Sequence, residues 1–300
     1  MNFIHKIRQT FHKVNKILAQ QQEIKSTLNK LQESIGRVEN RQLDIYRKNG
    51  ISDSEFRVFS QWGEDGIIQH LLRNIEVSRK IFVEFGVQNY TESNTRFLLI
   101  NNNWSGLVID GGSEEVAYIK NDPIYWQYNL KAVNTFITKD NINQIFAENG
   151  IQGEIGLLSV DIDGNDYWVW QAIDSVNPAI VVSEYNFRFG AIKAVTVPYD
   201  AGFVRTKAHY SNIYYGASLK ALCLLANRKG YTFVGCNSAG NNAFFVRNDL
   251  KPDSLKELTS EEGYVAAQFR ESRNAAGDLL YLSLEEEVNI LNSLPLVDIE

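Results

Sequence analysis

Apolar residues recur at alternating steps of four and three from Phe3. Ile7, Thr10, Val14, Ile17, Gln21, Ile24, Leu28, Leu31, Ile35, Val38, Gln42 and Ile45 follow, so ten of the thirteen positions are apolar. A 3.5-residue period sustained this long predicts one helix about 65 Å in length at 1.5 Å per residue, whose seam needs a partner. The stretch has no Pro, and its only Gly before position 50 is Gly36, so nothing breaks the helix. Isoleucine at both a and d favours a trimer or tetramer over a dimer, and Gln21 and Gln42 at a positions fix register. The competing reading is a basic amphipathic helix lying on a membrane surface through Phe3, Ile4, Ile7 and Phe11, or packing on its own chain.

Asn49-Gly50 is a turn signal, and beyond it the period changes. From residue 80, short β-rich runs alternate with helical patterns, which predicts a parallel sheet covered on both faces. The expected strands are Ile81-Phe-Val-Glu-Phe, Gly106-Leu-Val-Ile-Asp, Trp126-Gln-Tyr-Asn-Leu, Ile155-Gly-Leu-Leu-Ser-Val-Asp, Ala179-Ile-Val-Val-Ser-Glu, Tyr231-Thr-Phe-Val-Gly and Asn242-Ala-Phe-Phe-Val. The last two are too close for a crossover helix and should form an antiparallel hairpin. The expected organisation is a coiled-coil oligomerisation helix over 1–49, an α/β domain over 50–250 and a helical tail over 251–300 packed on the domain or on another subunit.

Charge sharpens this division. Residues 1–50 carry ten Lys or Arg against four acids, +6, whereas the whole chain is at −6, leaving −12 on the other 250 residues. A domain of that sign repels phosphate backbones, and no Asn-Pro-Pro-Tyr-type motif is present, so nucleic acid is not the expected partner. Cys223 and Cys236 form neither a disulfide framework nor a zinc pattern. No run approaches 18 apolar residues, and charges interrupt the first residues, so the expected location is cytoplasmic, with contact at the inner face of the membrane open to the basic N-terminus.

In doubly wound sheets, ligands bind where the strands end. Those ends are acidic here: Glu84-Phe-Gly86, Asp110-Gly-Gly112, Asp161-Ile-Asp163-Gly-Asn-Asp166 and Glu184-Tyr-Asn186. Like charges at one edge call for donors or a cation, although Asp163 or Asp166 also suits a helix N-cap. One glycine after the first strand is a poor dinucleotide fingerprint, and there is no P-loop. An acid and a glycine ending strand one, with Asp110 ending strand two, still fit a nucleoside whose ribose hydroxyls donate to Asp110.

The succession Phe59-Ser-Gln-Trp-Gly-Glu-Asp-Gly-Ile-Ile, Phe82-Val-Glu-Phe-Gly, Gly106-Leu-Val-Ile-Asp-Gly and Ser159-Val-Asp-Ile-Asp-Gly-Asn-Asp resembles the FkbM-like S-adenosylmethionine-dependent methyltransferases. These are common in bacterial surface-polysaccharide gene clusters, and the resemblance spans residues 56–248. It implies a Rossmann-like, class I methyltransferase sheet of seven strands, one antiparallel, binding S-adenosylmethionine. By position, Glu84 and Gly86 belong under the methionine part of the cofactor, Asp110 clamps the ribose, and Ser60 and Gln61 lie near the carboxylate. Asn94 and Asp161 are also expected on the cofactor. The departure is Val87-Gln88-Asn89, where many methyltransferases have further glycines.

The activity so implied is O-methylation of a sugar, nucleotide-sugar or glycan hydroxyl, an in-line displacement that requires removal of the acceptor's proton. Two solutions are available. Mg2+ or Mn2+ held by Asp161 or Asp163 with Glu184 and Asn186 would suit oxygen-only ligands. Alternatively, His209, the only histidine after His70, acts as base from the long segment 186–215; Asp161 and Asp163 are the other expected catalytic residues. Arg188, Tyr199, Arg205 and Tyr215 in that segment suit phosphate and hydroxyl recognition. Trp168 and Trp170 read as core, and the tail shows no chemistry. A coiled-coil scaffold of a glycan-assembly complex, with an inactive cofactor-binding domain, is the alternative to the enzyme.

Overall fold

The computed structural model of the chain describes residues 2–43, 45 and 50–300, without the side chains of residues 2–4 and 6. Asn49 of the expected turn, and the side chains of Phe3 and Ile4, therefore lie outside the described residues. The chain divides into two compact units, 1–46 and 47–300. The first is one helix, α1 (Asn2–Gln42). Its apolar stripe is exposed, with Ile17, Ile24, Leu28 and Ile35 each more than half accessible. Among the described residues no helix is long and apolar enough to cross a membrane.

In the second unit helices and strands alternate. The first half runs α2 (Glu64–Asn74), β1 (Ile81–Phe85), α3 (Arg96–Asn102), β2 (Ser105–Asp110), α4 (Ser113–Asn121), α5 (Pro123–Gln127), β3 (Leu130–Asn134), α6 (Ile142–Glu148), β4 (Gly153–Val160), α7 (Asp166–Ala172) and β5 (Val176–Glu184). There follow β6 (Val195–Thr196), α8 (Arg205–Ala208), α9 (Leu219–Arg228), β7 (Tyr231–Cys236), β8 (Asn242–Arg247), α10 (Ser260–Gly263), α11 (Leu284–Asn292) and β9 (Val297–Asp298). Seven strands form one sheet in the order β3-β2-β1-β4-β5-β8-β7. All neighbours are parallel except β8, which runs against both β5 and β7. This is the fold that the sequence leads one to expect, a Rossmann-like methyltransferase sheet with one antiparallel strand.

The strands read as continuous apolar runs because both faces are covered. Val83 and Phe85 face a core shared with Phe146, Val169, Trp170 and Leu222, while Phe82 and Val108 face another with Ile67, Leu71 and Leu98. Trp170 is core, as expected, and Trp168 is half-buried with its indole N–H on the Val197 carbonyl at 2.8 Å. The third strand starts four residues later than expected. Pro123 at the first helical position and Asp122, whose carboxylate caps the Ile124 N–H at 2.9 Å, make the aromatic stretch a short helix instead. Residues 251–300 belong to the second unit, and β9 pairs with β6.

Candidate active site

Strand order reverses between β1 and β4, so their carboxyl ends diverge into a crevice, the place where open α/β sheets bind ligands. A cleft of about 350 Å³ opens there, floored by Glu84, Phe85 and Gly86 after β1 and bordered by Gln61, Asn94, Asp161 and Asn242. Gly86 has φ +65°, and a Cβ at this position would overlap the Asp161 carbonyl oxygen. The turn continues with Gln88 and Tyr90 in left-handed conformations, so the absent glycines are replaced by strained residues held in place. Arg96 holds them: it donates to the Tyr90 carbonyl at 2.9 Å and lies over the Tyr90 and Phe59 rings.

Glu84 is buried and accepts from the Asn94 N–H at 2.8 Å, the Thr95 N–H at 3.1 Å and the Thr95 hydroxyl. It therefore shapes the start of α3. Burial outweighs these bonds and pushes its pKa up to about 7. Asp110 is half-buried and takes the Gln88 N–H on Oδ2 and the Gly112 N–H on Oδ1, both at 2.7 Å. Each oxygen keeps a lone pair for a further donor, as a ribose clamp requires. Asp110 thus touches the cleft through Gln88 and is itself absent from the cleft lining.

Ser60 is corrected by the structure. Its hydroxyl is fully buried and exchanges bonds with Asp65, donating to Oδ2 at 2.9 Å and accepting from the Asp65 N–H at 3.0 Å. The same Oδ2 accepts the N–H groups of Val58, Phe59 and Ser60. Glu64 beside it accepts from Trp62 and Gly63 N–H and from the amides of Asn237 and Asn242. These two acids hold the loop that presents Gln61 to the cleft.

Beyond the cleft, oxygens of Asp161, Asp163 and Glu184 all lie within 4.8 Å of one another. Glu184 Oε2 is buried and has no partner. Burial, then the charges of Asp163 and Asp166, hold the Asp161 carboxyl well above the usual range; burial, then Asp161 and Asp163, do the same to Glu184. Neither Asp163 nor Asp166 is the cap of α7, a position taken by Asn165. Asp166 instead ties the preceding loop through the Ile162 N–H at 2.8 Å and the Gly164 N–H at 2.9 Å, and burial pushes it up to about 6. Asn186 as a ligand is also corrected. Its amide nitrogen donates to the Ile213 and Tyr215 carbonyls and its Oδ1 accepts the Arg188 N–H, so the buried side chain braces the loop and is not part of the three-carboxylate cluster.

The segment 186–215 brings Arg205 and Tyr215 to this cluster, but not the other expected residues. Arg205 pairs with Asp163 at 2.7 Å and lies over the Tyr215 ring at 3.7 Å, and the buried Tyr215 hydroxyl is raised by burial and then by the charge of Glu184. Arg188 is wholly buried and faces Glu287 and Glu271 of the C-terminal region at 2.6 and 3.1 Å. Tyr199 bonds Asp140 at 3.1 Å, with Lys139 over its ring, and is away from the cleft lining. His209 is corrected as base. It follows the single-turn α8, so Arg205 of that turn reaches the carboxylates while the His209 ring meets Ser211 Oγ at 2.6 Å and lies tilted against the Tyr210 ring. Partial burial lowers its pKa.

Sequence reasoning missed Glu64, Asp65 and Thr95, and it found no chemistry in the tail, where Glu271 joins Arg205, Arg188 and Tyr215. The acidic pair Glu64-Asp65 at a helix start was the one readable signal.

No protein-family model and no curated protein matches the sequence. Among solved structures, the N-terminal domain of EvdMO1 with SAH bound is similar at 10% identity and a TM-score of 0.40, over 71% of this chain and 94% of that one. An S-adenosylmethionine-dependent methyltransferase from Clostridium acetobutylicum is similar at 10% identity and 0.39, over 61% and 90%. A putative O-methyltransferase from Klebsiella pneumoniae shows 10% and 0.39, over 72% and 90%. These likenesses are distant ones of fold, and the class of the sheet is read from its own strand order.

Proposed function

We propose that residues 47–300 transfer a methyl group from S-adenosylmethionine to a sugar hydroxyl, in a surface glycan or its nucleotide-sugar precursor. The observation that carries this reading is the cleft at the β1/β4 switch point, of a size that suits a nucleoside ligand, with Asp110 bonded to Gln88 of its lining and an acidic cluster that includes Asp161 of its border. The FkbM-like motifs coincide with the elements that build it. Gly86 leaves the backbone open to the ligand, Glu84 fixes the Asn94–Thr95 turn, and the Asp65-held loop sets Gln61. Together they hold a cofactor in one pose for in-line attack.

The acidic cluster fits a divalent cation. Three carboxylate oxygens within 4.8 Å suit a hard ion with metal–oxygen distances of about 2.0–2.4 Å, and the partnerless Glu184 Oε2 marks a shortage of positive charge. Asp161, Asp163 and Glu184 would hold Mg2+ or Mn2+, which when bound supplies Lewis acidity to a hydroxyl. Arg205, already on Asp163, sets the orientation of that carboxylate.

The exposed stripe of α1 supports assembly with further copies of the chain. In a parallel, in-register coil the g–e′ pairs Lys13–Leu18, Gln20–Lys25, Thr27–Gln32 and Ser34–Glu39 set no like charges together, and Phe11 and Leu18 at e widen the seam toward trimers or tetramers.

The test is calorimetric titration of S-adenosylhomocysteine into the full chain, with and without Mg2+. Micromolar binding is expected. No binding in either condition would overturn the reading.

A further inference from the structure

Between α10 and α11 the chain crosses the site edge with no regular structure beyond one bridge, Arg273 to Leu279. It nevertheless carries a carboxylate into the most cationic spot near the acidic cluster. Glu271 Oε1 accepts from Arg188 Nη1 at 3.1 Å and lies 3.5 Å from the Tyr215 hydroxyl, while Oε2 meets Arg205 Nη2 at 2.6 Å.

The donors outnumber what this carboxylate takes. Arg188 is wholly buried, with Nε on Glu287 and Nη1 on Glu271, yet its Nη2 has no partner. Arg205 Nη2 touches Glu271 as an ion pair, but it too is buried without an aligned hydrogen bond. A buried donor left without any partner, as Arg188 Nη2 is among the described residues, is costly, and native structures rarely tolerate one without a reason. Both are geminal to, or directly on, contacts with Glu271, so a ligand in its place would meet both. A carboxylate offers two coplanar oxygens, whereas a phosphoryl group offers three in a tetrahedral array that guanidinium groups bind well.

We propose that Arg188, Arg205 and Tyr215 form a phosphoryl-binding site for the acceptor, filled in the acceptor-free protein by Glu271 as an internal substitute. The proposal rests on the methyltransferase reading and narrows its acceptor to a sugar phosphate or nucleotide sugar. Arg205 bridges the two places: its Nη1 is on Asp163 at 2.7 Å, so a phosphoryl group on the guanidinium lies about one sugar ring from the carboxylates. The displaced segment also carries Phe269, stacked on the exposed Trp62 with centroids 5.2 Å apart, so its departure unstacks an indole beside the cleft.

The test uses the full chain, with glucose 1-phosphate as probe and glucose and glucuronate as controls, by calorimetry and Trp fluorescence. Glu271→Gln is expected to bind glucose 1-phosphate at least tenfold more tightly than the parent, with a fluorescence change, and Arg205→Gln in that background should remove the gain. Should Glu271→Gln not fold, Phe269→Ala, which loosens the segment and leaves the charges intact, is read the same way. No gain, a gain that survives Arg205→Gln, or glucuronate bound as tightly as glucose 1-phosphate would each overturn the proposal. Each protein is also titrated with S-adenosylhomocysteine. Intact cofactor binding beside a failed phosphate test counts against the phosphoryl site alone, whereas loss of cofactor binding in the parent counts against the methyltransferase reading.

Discussion

At the β1 and β2 ends of the sheet, carboxylates are supplied with donors: Glu84 accepts three hydrogen bonds and Asp110 two, all but one from backbone N–H groups. At the β4 and β5 ends, a few ångströms along the same edge, Glu184 Oε2 has no donor, and Asp161 and Glu184 are both held well above the usual carboxyl range. The first group is finished within the fold and shapes loops. In the second, Arg205 meets Asp163 but Glu184 Oε2 is left without a donor among the described residues, which is why cation chemistry is proposed there. Acids at strand ends look alike in sequence, and the supply of donors tells them apart.

Breaking the donor-rich side should have the largest effect. Asp65 is its extreme case, with three backbone N–H groups and a hydroxyl on one oxygen, so Asp65→Ala is expected to lower stability by about 3–4 kcal/mol in urea unfolding. The next effect concerns pH. Folded protein retains the Glu84 proton up to about pH 7, while the unfolded chain releases it near 4.5, so stability should fall as pH rises through that window and level off above it. The share of Glu84 in this loss is roughly 3 kcal/mol; in urea midpoints at pH 5 and pH 8, Glu84→Gln should lessen the slope, and what is left belongs to other buried acids such as Asp65 and Asp166, which burial pushes up to about 6. Asp110→Ala should weaken S-adenosylhomocysteine by about 1–3 kcal/mol in calorimetry, and unchanged affinity would discard the ribose assignment. The smallest effect has the opposite sign. Without cation, Glu184→Gln should leave stability at pH 8 unchanged or raise it by about 1 kcal/mol, since it replaces a buried carboxyl whose Oε2 finds no donor among the described residues, while Mn2+ binding is lost.

The strands were legible because a sheet buried on both faces leaves continuous apolar runs, and the strand-end rule then located Glu84, Asp161 and Glu184. The third strand was misplaced where Trp126 and Tyr128 looked β-like, while the decisive residues were Asp122 and Pro123 just before them. Side chains whose role depends on distant partners were not legible. Asn186 looked like a ligand, but its amide nitrogen holds the carbonyls of Ile213 and Tyr215 and its Oδ1 the Arg188 N–H, which makes it a brace of the loop. Likewise, the one histidine in a long loop looked like a base, although the loop aims an arginine from the same turn. Glu271 lies 66 residues beyond Arg205 in an irregular segment, and no local pattern announces that pairing.

Gly86 has a consequence for how such a protein can change. Its bare α-carbon lets the turn after β1 rest against the Asp161 carbonyl. The turn that floors the cleft and the loop that carries Asp161 and Asp163 therefore meet main chain to main chain at this point. Side chains around that joint can be exchanged without moving it. The separation of the two strand ends is set by backbone, and any side chain at position 86 would force them apart.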